Sequence, residues 1–295
     1  MRLIIENANL VLCVDTLGAQ MMSIKSKDGC EYLWQGDPAY WEDRAPVLFP
    51  FIGRLQDKKY QVGGKGYSIG IHGFAAASEF SVESHTSDTL VLSLRNSLVT
   101  LVQYPYDFTL EITYHLKGNT IEVQNRVINR DESMMHFALG GHPGFRVPLN
   151  DGERFEDYCL EFAKPCTPER IGFTDDTILV NGQTERYVLE GGNVLSLRHD
   201  LFDEDAIILQ NVAREVVLKS RTCPRTVTVS YPDMPYLGIW HWPMKAAPYV
   251  CIEPWTSLPG RSGMIEEISC RSDFVHLAPG KTYENIWTIT IGQEG

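Results

Sequence analysis

Phe108-Thr109-Leu110-Glu111-Ile112-Thr113-Tyr114-His115-Leu116, then Gly118-Asn119, then Thr120-Ile121-Glu122-Val123-Gln124-Asn125-Arg126-Val127 is the stretch that decides the fold class. Apolar and polar side chains alternate on both sides of a Gly-Asn pair. Successive side chains of a strand point to opposite faces, so this period of two predicts a pair of half-buried strands joined by a turn.

Working outward, residues 80–83 and 89–94 alternate in the same way. Further strands are predicted at 3–7, 9–14, 17–24, 31–34, 158–162, 194–197, 206–209, 216–218, 226–231, 237–240 and 282–291. Asp28-Gly29 predicts a hairpin turn, and Gly63-Gly64 another between Tyr60-Gln61-Val62 and Tyr67-Ser68-Ile69 rather than a nucleotide loop. Apart from 158–162, residues 146–186 read as polar loop, around Asp151-Gly152-Glu153 and Thr174-Asp175-Asp176. No long amphipathic helix, repeat or linker interrupts the series. The expectation is an all-β fold, a large antiparallel β-sandwich forming a single domain over 1–295.

The chain has 295 residues, 43% hydrophobic and 22% charged, with a net charge of -12. Nucleic acid and anionic membrane surfaces would be repelled, so neither is expected as a partner. Seven scattered cysteines (13, 30, 159, 166, 223, 251 and 270) show no C-x-x-C pair, so no zinc or redox motif is indicated. Met1-Arg2-Leu3-Ile4 runs into a strand pattern without a leader, and there is no glycosylation sequon and no run of ~18 apolar residues. A cytoplasmic protein is expected.

Four stretches carry candidate chemistry. Gly140-Gly141-His142-Pro143-Gly144-Phe145 follows the apolar run 134–139. Glycine permits positive φ and close approach to a ligand, and proline stiffens the exit, so an imidazole at the mouth of a β scaffold is predicted; a surface turn is the plain alternative. Ile71-His72-Gly73-Phe74 supplies a second histidine followed by glycine. Arg54 ends the aromatic-rich run Phe49-Pro50-Phe51-Ile52-Gly53, either as a fixed donor fork or as a surface residue whose stem covers the core. Glu253 closes the apolar run 248–252, where burial would raise its pKa, unless it is an edge-strand residue facing water. Cys251 shares its strand face and reads as a buried structural thiol. His115 reads as a sheet-surface residue and His85 as part of a polar turn. No G-x-S-x-G elbow, H-E-x-x-H helix or Walker loop is expected.

In this order, 49–55, 71–74, 140–145 and 251–255 resemble the aldose 1-epimerase (galactose mutarotase-like) family. The likeness is greatest to its bacterial branch of mutarotase-like proteins associated with lactose operons, and it spans almost the whole chain. The resemblance implies a β-supersandwich and interconversion of the α and β anomers of an aldose, without cofactor or metal. It implies Arg54 as sugar-binding arginine, His72 as the first histidine, His142 as general acid and Glu253 as general base. The family's sugar-binding aspartate maps to Asp205, with Asp203 as the alternative. The implied partner is a small sugar, an aldohexose or a relative, bound by a monomer or homodimer. One departure stands out: where the branch usually continues H-G-F with Ala-Arg, this chain has Ala75-Ala76, and Arg261 is the candidate to restore the positive charge. Two other readings compete: a non-catalytic carbohydrate-binding protein on the same scaffold, and a glycoside hydrolase. The latter needs a second carboxylate beside Glu253, for which Asp205 and Asp43 are the candidates.

Overall fold

In the computed structural model, which describes residues 1–222 and 224–293, strands Phe108–Lys117 and Thr120–Asn129 pair antiparallel, from Thr120 opposite Lys117 to Asn129 opposite Phe108. Gly118 opens the two-residue turn with φ of +61°, a conformation that favours glycine at this position. Leu110, Ile112, Tyr114 and Leu116 on one strand, and Ile121, Val123 and Val127 on the other, are buried. Glu111, Thr113 and His115 on the first, and Glu122, Gln124 and Arg126 on the second, are less buried, as the alternation requires.

This hairpin lies within a nine-stranded sheet. On one side of it come Thr282–Gln293, Arg225–Ser230, Glu215–Ser220, Tyr158–Phe162 and Val194–Ser196; on the other come Thr89–Arg95 and Ser81–His85. A second, eight-stranded sheet runs Val180–Arg186, Glu169–Phe173, Ile207–Gln210, Tyr236–Trp240, Tyr249–Trp255, Gly140–Gly141 and Val47–Leu48, with Gly144–Arg146 also paired to Tyr249–Trp255. Every ladder within these two sheets is antiparallel. One apolar cluster joins residues of both sheets, among them Leu110, Ile112 and Ile289 from the first and Leu237, Val250 and Ile252 from the second. Each such side chain contributes roughly 1.5–3 kcal/mol when fully buried. The contact between sheets is close at Gly141, where a Cβ would stand 2.7 Å from the ring of Trp287.

The all-β antiparallel expectation is met, and the local differences have physical causes. Residues 17–20 turn instead of extending, with Ala19 at φ +48°, and the strand is Met21–Ser26. Residues 31–34 make only isolated bridges, because the buried Glu31 carboxylate accepts the N–H groups of Ile24 and Leu33 at 2.8 and 3.0 Å. The supposed loop 146–186 holds two further strands, Glu169–Phe173 and Val180–Arg186. The latter is exposed from Asn181 onward, so it shows no apolar alternation to read. His85 ends the Ser81–His85 strand rather than sitting in a turn. Among the described residues the only α-helix is Leu98–Gln103, capped by Ser97. Cys223 lies outside the described residues; the other six cysteines are free.

Candidate active site

The strand Tyr249–Trp255 organises the site. Gly140 pairs with Trp255 and Gly144 with Cys251, so His142 falls opposite Glu253. His142 Nε2 lies 3.3 Å from Glu253 Oε2. The strand continues through Pro254, so Glu253 sits within it, not at its end, and it is buried at 1% exposure. On the other flank Gly238 faces Glu253, and a Cβ there would come within 3.2 Å of the Glu253 Cβ.

The glycines around His142 serve packing. Gly140, Gly141 and Gly144 do not take positive φ; they are strand residues pressed beneath Trp255, Trp287 and Trp41. The stretch is therefore a pair of short strands with His142-Pro143 between them, not a turn. The Ile71–Phe74 stretch does use backbone strain. His72 takes φ +60°, and Gly73 takes φ +80° with a Cβ position only 2.2 Å from the Phe49 carbonyl oxygen, where no side chain fits. His72 N–H donates to the Gly53 carbonyl at 2.9 Å, and the Gly53 N–H donates to His72 Nδ1 at 3.0 Å. An accepting Nδ1 means a neutral ring with its proton on Nε2.

Arg54 and Asp205 complete the set, with Arg54 Nη1 3.9 Å from Asp205 Oδ2. Arg54 is half exposed, and Asp205 takes φ +82°. A cleft of about 340 Å³ is lined by Arg54, His72, His142, Asp205 and Glu253 together with Trp41, Trp240, Trp242 and Trp255. Asp43 lines it too, whereas Asp203 lines a neighbouring hollow. The five predicted side chains are thus brought together. The tryptophans at 41, 240 and 242 are not among the candidates read from the sequence.

Burial sets the electrostatics. It pushes the Glu253 carboxyl well above its ordinary 4.5, with the Asp205 charge adding to the effect. Burial, then the neighbouring His72, holds His142 well below 6.5. Burial and the Arg54 charge bring His72 down to about 4. Both shifts favour the neutral forms, so the free site pairs a protonated carboxyl with a neutral imidazole 3.3 Å away. His142 Nδ1 and Glu253 Oε2 have no hydrogen-bond partner among the described residues.

Cys251 Sγ joins His142 and Glu253 in a cluster of donor atoms within 4.8 Å of one another. Burial, reinforced by Glu253, pushes its thiol well above 9, which disfavours both a nucleophilic thiolate and metal ligation. Arg261 does not restore a charge to the cleft. Its Nε is held 2.6 Å from Glu266 Oε1, it lines a separate hollow with Arg271 and Asp273, and Ala76 itself lines the cleft. Gly66-Tyr67-Ser68-Ile69-Gly70 spells G-x-S-x-G, yet Ser68 ends an exposed hairpin strand, not a strand-to-helix elbow.

A family model described as aldose 1-epimerase matches residues 1–286. The chain belongs to the aldose 1-epimerase family. It is 34% identical over 297 residues to the chromosomal protein LacX of Lactococcus lactis subsp. lactis, covering 97% of this chain and 98% of LacX. It superposes with a TM-score of 0.94 on a galactose mutarotase related enzyme from Lactobacillus acidophilus, at 32% identity over 99% of this chain and 98% of that one. A galactose mutarotase-like protein from Lactobacillus casei gives 0.92 at 31% identity, over 99% and 100%. For this member of the aldose 1-epimerase family, the galactose mutarotase-like fold expected from its motifs is met. Membership supports a sugar epimerase or mutarotase role. No helix among the described residues is long and apolar enough to cross a membrane.

Proposed function

We propose that this chain is an aldose mutarotase that opens and recloses a sugar ring by paired acid–base catalysis. The observation that carries this reading is the 3.3 Å contact of His142 with Glu253, two buried groups of opposed pKa shift in a cleft of small-molecule size. Burial favours the neutral pair in the free protein. A sugar whose C1 hydroxyl donates to Glu253 stabilises the carboxylate and moves the carboxyl proton to His142, which arms base and acid together.

Glu253 then takes the C1 hydroxyl proton while His142 gives its proton to the ring oxygen. The bond between C1 and the ring oxygen breaks, leaving an open-chain aldehyde, a neutral imidazole and a carboxylic acid. Rotation about C1–C2 turns the other carbonyl face to the oxygen. Reclosure returns both protons and yields the opposite anomer, so the pair carries one proton throughout. His72 offers Nε2–H, and Arg54 with Asp205 offers a donor fork beside an acceptor, to hold the hydroxyls in register. Trp41 and Trp240, packed around His142 at ring separations of 4.9 and 5.6 Å, suit the apolar faces of a sugar ring. The scheme calls on no cofactor. The proposal takes the chain as a single cytoplasmic domain acting as monomer or homodimer on a free small molecule.

A role in binding alone would use Arg54 and the tryptophans but give the buried acid–base pair no task. NMR anomer exchange on a panel of aldoses tests the choice: exchange above the spontaneous rate, absent in Glu253→Gln, is expected. Sugar binding without any acceleration would overturn the catalytic reading.

A further inference from the structure

A second hollow, about 690 Å³, opens beside the cleft and shares Phe173, Ile178 and Asp205 with it. It is about twice the size of the cleft, and both fall in the range of ligand sites. Its wall is the hairpin of Glu169–Phe173 and Val180–Arg186, together with the turn that carries Asp203 to Asp205. Ile178 stands where the two hollows meet, at φ +53°, a conformation that β-branched residues avoid.

The lining chemistry selects an occupant. Asp175, Glu185, Asp203, Glu204 and Asp205 are carboxylates, and the one cation among the lining residues is Arg170. Arg170 already lies 3.9 Å from Glu185 and 3.6 Å from Glu204. A phosphate or carboxylate would meet repulsion there. A neutral polyol would not: its hydroxyls donate to carboxylates, and they exchange hydrogen bonds with Asn181, Gln183 and Thr184, which also line the wall. The side chains of Gln183, Thr184 and Asp203 make no hydrogen bond among the described residues.

We propose that this hollow is a subsite for a second, neutral sugar unit joined to the aldose in the cleft. The preferred substrate is then the reducing end of a neutral disaccharide or longer glycan, ahead of a monosaccharide or a sugar phosphate. The inference rests on the mutarotase reading above and adds a substrate class to it.

The test is NMR anomer exchange with glucose, glucose 6-phosphate, and 1→4- and 1→6-linked disaccharides that end in glucose, repeated with the galactose counterparts. At least one disaccharide is expected to exceed its parent monosaccharide in kcat/KM, with the phosphate below both. Thr184→Trp, which fills the hollow from an exposed strand position, is expected to lower the disaccharide-to-monosaccharide ratio about tenfold, the worth of roughly one good hydrogen bond. Gln183→Arg is expected to lower the same ratio and to lift the phosphate. Monosaccharide exchange with no disaccharide preferred, or a ratio that neither variant moves, overturns the subsite and leaves the mutarotase intact. Failure of every sugar to exchange overturns the mutarotase reading itself, and the subsite with it.

Discussion

Two buried polar clusters in this molecule have opposite hydrogen-bond balances. Around Arg271, 5% exposed, every charge is answered: its guanidinium reaches Glu266 at 2.7 Å, both oxygens of Asp273 at 2.8 and 2.7 Å, and the Leu258 carbonyl at 2.7 Å. Around Glu253, one carboxylate oxygen and one imidazole nitrogen lack any hydrogen-bond partner among the described residues. A satisfied network keeps its charges in place and fixes a loop. An unsatisfied pair keeps its groups neutral and receptive, and it gains when a ligand supplies the missing bonds. Both clusters are acidic residues beside a base; satisfaction, not composition, separates the structural one from the proposed catalytic one.

The sharpest way to break this contrast is Glu253→Gln. It removes the proposed base while relieving a buried carboxyl, so anomer exchange is expected to fall by ~10²–10⁴-fold, with a thermal midpoint no lower than wild type. Arg271→Met should invert that pattern. It leaves Asp273 without its cation and Glu266 with Arg261 alone, so unfolding in urea is expected to reveal a loss of about 3–5 kcal/mol, the usual cost of breaking a buried pair. The folded fraction should keep its kcat.

Acid should then separate the two regions. His72 and His241 are held at about 4 in the folded chain against 6.5 ordinarily, so between those values the unfolded state binds protons that the folded state does not. Stability is expected to fall as pH drops from 6.5 to 4. Asp273 contributes the other step: Arg271 and Ser257 hold it down to about 2 despite burial, so its share of stability is complete above 3.8 and is lost as pH falls through 2. Urea titrations at stepped pH should resolve the two windows, and replacing His72 with Gln should shrink the upper one, where His241 still contributes, and leave the lower one unchanged. The smallest effect belongs to Arg261→Ala. Arg261 is half exposed and the buried Glu266 keeps Arg271, so the loss is expected to be about 0.2–1 kcal/mol, and anomer exchange should stay at the wild-type rate.

Much of the fold was legible because strands with one buried face write their period into the chain, as 108–127 does. The exposed strand Val180–Arg186 was not legible, since nothing buries a face of it. The four motifs pointed to side chains that the fold brings to one cleft, yet the glycines around His142 serve packing and not positive φ. They make room for tryptophans that arrive from distant parts of the chain, which no local pattern announces. Arg261 shows the same limit: its charge was plain in sequence, but its partner Glu266 and its distance from the cleft were not.

By itself, then, the sequence determined the alternating strands, the turn at Gly118-Asn119 and the set of His, Arg and Glu motifs, because side-chain period and turn chemistry are local properties. Tertiary structure alone decided that the ladder register sets His142 against Glu253, that burial drives their pKa values apart, and that Ile178 and Asp205 join the cleft to a second hollow. Those outcomes depend on which distant surfaces exclude water from a group, and desolvation exists only once the sheets have closed.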